Sequence, residues 1–539
     1  MNTLKNNSSI PKQLWQTCLA LDQWHQFRLR LFWEGIIIGL VGGLSICLFR
    51  FLLNQSESLR IYIYHFILIP ALQETNWIPL LGYGLLLLII SGFLYSMCRY
   101  APMAGGSGIP QVKGVILGAM KMKWFRILWV KILAGAIGIG AGLSLGREGP
   151  SIQIGAVAGQ GCSRLLGRTR MEERYLITSG ASAGLAAAFN APLAGMMFAL
   201  EELHRNFSGA VLLPTMTSAI TATIVTRFFF GDDTSFTFGH LIPLPSSYLA
   251  YVALVAISCG VAGIFFNYGL LHIHYLYRPS VFKNQWMKIG FALLCAGILG
   301  FILPDVLGGG NILVDQLAIH FYPLPFLLLL LGGKYIFTLI SYGCGTPGGF
   351  FLPLLVIGAL IGAIEANLLV SASWLPAMYT PTIIIIGMVS LFAASVRSPI
   401  TGTLLILEMT GDFNHLMALA LASSLAYITA ELLKGKPIYD ALLQKSLKTS
   451  PDLDCEEEKN IIEVPVSSGS LLENCTIQNI PLMEQTVIVE IKRQGHNFIP
   501  ETHTRLHAGD FLYILSCSKN VSALKHLGEE QIPKCRIKK

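Results

Sequence analysis

Between Lys131 and Arg164 the only charged residues are Arg147 and Glu148, set among apolar and small side chains. A carboxylate there is expensive inside a membrane, since mild insertion scales put a central Asp at about 3 kcal/mol. The surrounding residues, Gly146-Arg147-Glu148-Gly149-Pro150, indicate how it is tolerated. Pro150 suits the first turn of a helix and Gly149 allows a tight approach. Glu148 is therefore expected just before a helix N-terminus, where unpaired backbone N–H groups attract negative charge. Such a place binds anions. A glutamate there can fill the anion site itself or, once protonated, leave it to an ion from solution. The alternative is a local Arg147–Glu148 pair that stabilises a loop. A second acidic residue, Glu202, stands near the end of another apolar run, with an ion pair to His204 or Arg205 as its plain structural reading.

The elements that carry these residues are membrane-embedded. Of the 539 residues 53% are hydrophobic and only 13% charged, against roughly 25% charged in an ordinary soluble domain. Uncharged runs near the spanning length of about 20 residues recur at 177–200, 335–364 and 381–396, the last continuing past Arg397. Many glycines and prolines interrupt such runs, which predicts a helical bundle with broken or tilted helices whose irregular backbone is buried or lines a cavity. The net charge of +7 comes with Lys5, Lys12, Arg28 and Arg30 ahead of the first span. That bias predicts a cytoplasmic N-terminus. The opening residues lack the compact apolar core of a cleavable signal peptide. The eleven cysteines form no CxxC pair and read as thiols or packing residues.

Along the chain, residues 1–31 form a polar, basic lead-in, read as an amphipathic helix on the inner membrane surface, and apolar segments follow near 33–53 and 77–97. Four glycine-rich breaks then appear. Gly106-Ser107-Gly108-Ile109-Pro110 and Gly146 to Pro150 lie in the first half; Gly308-Gly309-Gly310-Asn311 and Gly348-Gly349-Phe350-Phe351-Leu352-Pro353 lie in the second. Gly106 to Gly146 and Gly308 to Gly348 are each 40 residues, an offset of 202 in both cases. A second match sets 186–195 against 393–402 at an offset of 207, with Glu201 opposite Glu408. These offsets predict an internal duplication, with halves at about 32–230 and 246–433. Interrupted segments at corresponding places in two halves point to a transport site at the repeat interface.

Past Lys436 the composition changes. Residues 446–462 read as a linker, acidic from 450 to 460, and 463–520 as a small soluble α/β module with strands at 486–491 and 511–515 and a turn at Gln494-Gly495-His496-Asn497. Residues 521–539 form a basic tail.

Four motifs in this order, GSGIP at 106–110, GREGP at 146–150, the GxFxP form at 349–353, and Tyr439 after Gly435-Lys436-Pro437, resemble the CLC family of chloride channels and chloride/proton antiporters. The resemblance covers 32–445 and implies an all-α polytopic membrane domain built on an inverted internal repeat. It implies that the Ser107 and Tyr439 hydroxyls and the backbone N–H groups of Phe350 and Phe351 bind a central chloride. Hydroxyls, amides and helix N-termini suit an ion that must be released as well as bound. The other readings are an N-cap before Pro110 for Ser107 and a membrane-interface aromatic for Tyr439. Glu148 would gate the anion path and accept protons on the outer side. Glu202, which falls opposite Met409 in the repeat and so belongs to one half only, matches the glutamate that in the antiporters passes protons between the cytoplasm and the gating glutamate. Carrying both glutamates favours exchange over a passive voltage- or pH-gated chloride channel of the same fold.

Ser107 is similar to chloride-preferring members of the family, where nitrate-preferring relatives often have Pro. The resemblance also implies a homodimer with one pathway per subunit, in a bacterial-type inner membrane with both termini cytoplasmic. The tail departs from members that end in CBS domains. Pro481, Gly495, Ile499-Pro500 and Ala508 to Phe511 resemble instead the TrkA-C or RCK-C module, which implies a small-molecule regulatory ligand or an added dimer contact; an inert appendage is the alternative. An enzyme is not expected: the close pair His272 and His274 lies beside Tyr275 and Tyr277, with no HExxH or aspartate-rich motif to complete a site. Neither a metal, a cofactor nor a nucleic-acid partner is expected, chloride being the transported ligand.

Overall fold

In the computed structural model the described residues are 12–449, apart from 206, 208, 233, 237 and 239–240, and 459–517, apart from 467–469, 471, 481–485 and 494–495. The chain divides into two compact units between Thr449 and Ser450.

The first unit is helical throughout. Helix α1 (Lys12–Tyr62) leads through a π-helical turn (Ile63–Leu68) into the short α2 (Ile69–Gln73) and α3 (Ile78–Tyr100). Then come α4 (Ile109–Ile116), α5 (Trp124–Gly140), α6 (Glu148–Leu165), α7 (Arg170–Phe189), α8 (Pro192–Phe198) and α9 (Gly209–Phe230). The second half supplies α10 (Leu249–His272), α11 (Gln285–Ile302), α12 (Asn311–Ile319), α13 (Leu324–Gly343), α14 (Phe351–Ser371), α15 (Thr380–Val396), α16 (Pro399–Thr410), α17 (Leu416–Leu432) and α18 (Ile438–Thr449). Among the described residues nine helices are long and apolar enough to cross a membrane.

Two of the three uncharged runs do not persist as single spans, and the third, 381–396, is one helix that stops before Arg397. Run 177–200 breaks where Asn190 takes a left-handed conformation (φ 57°) and ends α7; 381–396 ends the same way at Arg397 (φ 73°). Run 335–364 breaks between α13 and α14, at a turn where Gly345 has φ 81°. Pro192 and Pro399 then sit in the first turn of the next helix, whose missing N–H costs nothing there. Asn190 and Arg397 are 207 residues apart, so both breaks obey the repeat.

The halves are also tied reciprocally. Glu201 accepts the N–H groups of Ile400 (3.3 Å) and Thr401 (2.8 Å) at the start of α16, and Glu408 accepts those of Leu193 (3.0 Å) and Ala194 (2.8 Å) at the start of α8. Each carboxylate satisfies N–H groups that a helix start leaves without an internal acceptor. Small residues allow the closest helix crossings. A Cβ on Gly155 of α6 would strike the Gly180 carbonyl of α7, and one on Gly358 of α14 would fall 2.6 Å from the Gly387 carbonyl of α15.

Element boundaries differ from the sequence expectations at both ends of this unit. Helix α1 runs through position 31 without interruption, because nothing between Lys12 and Tyr62 breaks a helix, so the lead-in and the first span are one element. The stretch 446–462, expected as a linker, supplies the last residues of α18 and the first of a strand, while 450–458 lie outside the described residues. Among the described residues seven cysteines are in no disulfide.

In the second unit β1 (Lys459–Pro465), β2 (Val487–Arg493), β3 (His496–Phe498) and β4 (Phe511–Cys517) form one antiparallel sheet in the order β1-β4-β2-β3. Val464, Ile488, Ile491, Leu506, Leu512 and Ile514 belong to its core. His496 and Asn497, expected in a turn, belong to β3; Gln494, Gly495 and Pro481 lie outside the described residues, as do 1–11 and 521–539.

Candidate functional site

Three helix starts meet at one place, and the glycine-rich breaks before them are stitched together by backbone hydrogen bonds. Gly106 N–H donates to the Thr346 carbonyl (3.1 Å) and Gly348 N–H to the Gly106 carbonyl (3.0 Å). Gly146 and Gly349 exchange both bonds, at 2.6 and 2.9 Å. The first half therefore contributes α4 and α6, and the second α14, to a single cluster of N-termini. Gly108 caps α4 at φ 90°, a conformation glycine tolerates, and Ile109 and Pro110 open the helix. Glu148, Gly149 and Pro150 are the first three residues of α6, with Arg147 as its N-cap, and Phe351, Leu352 and Pro353 play the same part in α14.

Glu148 is fully buried. Its Oε2 accepts the Leu352 N–H at 3.3 Å, and its Oε1 has no hydrogen-bond partner. The carboxylate thus lies against the start of α14, where an anion would be stabilised. Among the described contacts it forms no ion pair with Arg147, so the local pair is not what holds it. Gly149 is set by a close approach: a Cβ there would fall 2.6 Å from Ser107 Oγ and 2.7 Å from the Ser107 carbonyl oxygen. That proximity brings Ser107 against the start of α6.

Ser107 caps nothing. The N-cap of α4 is Gly108, and Ser107 Oγ is buried without a partner. Tyr439 is buried rather than interfacial, and its hydroxyl is also unpartnered. Its ring packs on Phe350 (5.5 Å between centroids) and edge-on to Phe198 (6.3 Å), while Phe351 packs on Phe392 at 4.8 Å. The Phe350 and Phe351 side chains are thus used in packing, leaving their backbone N–H groups for chemistry. Two buried hydroxyls without protein acceptors beside a cluster of helix N-termini form a donor set suited to a weakly basic anion, since an unsatisfied buried donor is costly. On one side a cavity of about 350 Å³ reaches Arg147 and Leu352, lined also by Glu57, Arg60, His65 and the glycines 308–310.

Glu202 lies on a π-helical turn, Ala199–His204, which follows α8, and it is buried. Insertions of this kind often mark functional positions. The turn sends neighbouring glutamates apart: Glu201 caps α16, while Glu202 points to Lys113 Nζ (2.7 Å from Oε1) and Ser398 Oγ (3.2 Å from Oε2). Among the described contacts Glu202 makes no hydrogen bond or ion pair with His204 or Arg205. Arg205 Nη2 bonds Asp440 (2.6 Å), and His204 Nδ1 faces Thr178 Oγ1 (3.3 Å), because the left-handed Arg205 ends the turn and redirects the chain. Tyr439 is near enough to both Glu148 and Glu202 to feel their charges.

Four residues of this region escaped the sequence reading. Lys131 Nζ donates to the carbonyls of Ala104 (2.8 Å) and Gly106 (2.6 Å), and Lys334 Nζ to those of Val306 (3.0 Å) and Gly308 (2.8 Å). The two lysines are 203 residues apart and hold equivalent loops, so extending the offset comparison to charged residues would have found them. Lys113, inside an apolar helix, and Asp440, next to Tyr439, gave no spacing signal because their partners lie far away in sequence.

The description "voltage gated chloride channel" belongs to the family model that matches residues 84–431. The H(+)/Cl(-) exchange transporter ClcA of Vibrio cholerae is 37% identical over 375 residues, covering 67% of this chain and 79% of that protein. ClcA of Vibrio vulnificus is 34% identical over 440 residues, covering 79% of this chain and 91% of that protein. Among solved structures, that of a slow cyanobacterial Cl-/H+ antiporter superposes with a TM-score of 0.72 at 31% identity, over 78% of this chain and 99% of the other.

Proposed function

The chain belongs to the voltage-gated chloride channel family, and from that premise we propose that this integral, multi-pass membrane protein is a secondary active transporter exchanging chloride for protons. In this reading Glu148 is the anion gate and outer proton acceptor. Ser107, Tyr439 and the N–H groups of Phe350 and Phe351 hold the chloride, and Glu202 transfers protons on the inner side. The observation that carries the reading is the buried Glu148 carboxylate hydrogen-bonded to the Leu352 N–H at the start of α14. A carboxylate in that position competes with an anion for the same donors; protonation removes its charge and frees them. Two transported species then share one site in alternation, which is what coupling requires. Glu202, buried against Lys113 and Ser398, gives the proton a second station that the anion does not need.

The N-terminus is assigned to the cytoplasm from the positive residues ahead of the first span, and the membrane to a bacterial-type inner membrane, since the relatives are bacterial exchangers. The second unit is assigned a regulatory role, with a small-molecule ligand. A binding screen on the full chain that finds no ligand and no effect on transport would remove that assignment. The exchange itself is tested with purified protein in liposomes carrying a chloride gradient and a pH probe. Exchange moves protons uphill at the expense of the chloride gradient; a passive channel moves chloride and leaves protons at electrochemical equilibrium.

A further inference from the structure

Glu202 does not wait at the inner end as a free acid. Its Oε1 is held by the Lys113 ammonium at 2.7 Å, and the side chains of both are only 2% exposed. The same ammonium lies 2.6 Å from Asp440 Oδ1, and Asp440 Oδ2 takes the Arg205 guanidinium at 2.6 Å. Exposure rises outward along this chain, from 2% at Lys113 to 26% at Asp440 and 52% at Arg205. Two carboxylates therefore share one buried ammonium, and only the outer of them meets water. Before Oε1 can take a proton, Lys113 must let it go.

We infer that Lys113 is a positioning residue for inner proton transfer, which locks Glu202 in its charged form and releases it by shifting onto Asp440. The inference rests on the exchange reading above and adds a gate to its inner proton station. Two features make the shift local. Lys113 already touches both carboxylates, so release lengthens one contact while keeping the other, and the ammonium is never left unpaired in a buried place. The proton step is balanced: a proton from water on the inner side binds Glu202 Oε1, Lys113 keeps its charge beside Asp440, and Ser398 Oγ stays within reach of Oε2. Other groups facing Glu202 are fixed or uncharged in this step. Tyr439 of α18 is a neutral phenol, Arg205 is bound to Asp440, and His204 lies toward Thr178 and the Arg174 side of α7.

The test uses full-length protein in liposomes, with proton-coupled chloride exchange recorded against inner-side pH. Wild type is the control for the underlying reading: if it moves no protons, the exchange assignment fails and not this inference. In Lys113→Met the carboxylate has lost its cation, so the inner-pH profile is expected to move to higher pH by about one to three units, the range an adjacent opposite charge commands. Lys113→Arg keeps the charge and should restore a profile close to wild type, which simple loss of packing would not do. A Lys113→Met profile superimposable on wild type overturns the inference. Should Lys113→Met not fold, Asp440→Asn decides: without its second partner Lys113 stays on Glu202, so the profile moves to lower pH and coupled turnover falls about tenfold. Wild-type turnover and profile in Asp440→Asn overturn the inference equally.

Discussion

At the scale of single residues, coupling depends on where two carboxylates put their oxygens. Glu148 gives one oxygen to the start of α14 and keeps the other without a partner, whereas both oxygens of Glu202 are engaged, by Lys113 and Ser398. The two should therefore fail differently. Glu202→Gln cannot carry a proton but leaves the anion site alone. Chloride transport is expected to continue, still sensitive to outer pH through Glu148, while uphill proton movement drops at least about tenfold; strong proton pumping in this variant would defeat the inner-transfer role. Ser107→Pro removes a hydroxyl that has no acceptor in the protein, so relative uptake should move from chloride toward nitrate, and an unchanged ratio in paired uptake measurements would take Ser107 out of the selectivity site. Glu148 was legible in the sequence because its cost is local: one acid in an apolar run, with Gly and Pro beside it. Lys113 was not, because its meaning comes from partners 89 positions away and farther.

At the scale of elements, the breaks matter more than the helices. Gly149 lets α6 begin against Ser107, and a methyl group there would press on backbone as well as on Oγ. Gly149→Ala is expected to fold and yet lose most chloride transport, since the displaced partner is Ser107, the hydroxyl proposed to hold the anion; normal flux would show that the approach is not needed. The reciprocal caps bear on stability instead. Glu408→Ala leaves two N–H groups of α8 without their acceptor, and loss of a cap costs about 1 kcal/mol, read as a lower midpoint of thermal unfolding in detergent. Helix ends marked by glycine were readable from the sequence, and so was the repeat that relates them. The left-handed turns at Asn190 and Arg397 were not, although Pro192 and Pro399 two residues on mark the helix starts that follow, because a non-glycine residue gives no local sign of that conformation. The same holds for the pairing of Gly146 with Gly349, which joins segments about 200 residues apart.

At the scale of the whole molecule, the second unit has its own electrostatic fastening. Asp510, 1% exposed, receives Arg493 through Nε (2.8 Å) and Nη2 (2.7 Å). Burial works to raise its carboxyl, but the hydrogen bonds from Arg493 and from the His507 N–H prevail and hold it below the usual range. A depressed acid stabilises the fold fully above its unfolded value, about 3.9, and that stabilisation is lost as pH falls through the folded value. Hydrogen-exchange protection of β2 and β4 should therefore decline below about pH 4, and Asp510→Asn should lower protection at neutral pH and flatten this decline. The membrane unit is expected to form a homodimer with a separate pathway in each subunit; crosslinking or mass measurement in detergent that finds only monomers would count against it. The central claim is that chloride and proton alternate at Glu148, and the most direct test records both fluxes at once from liposomes containing wild type or Glu148→Gln. The account predicts that wild type drives protons uphill on a chloride gradient, and that Glu148→Gln still passes chloride with neither proton movement nor dependence on outer pH. Undiminished coupling in Glu148→Gln would contradict it.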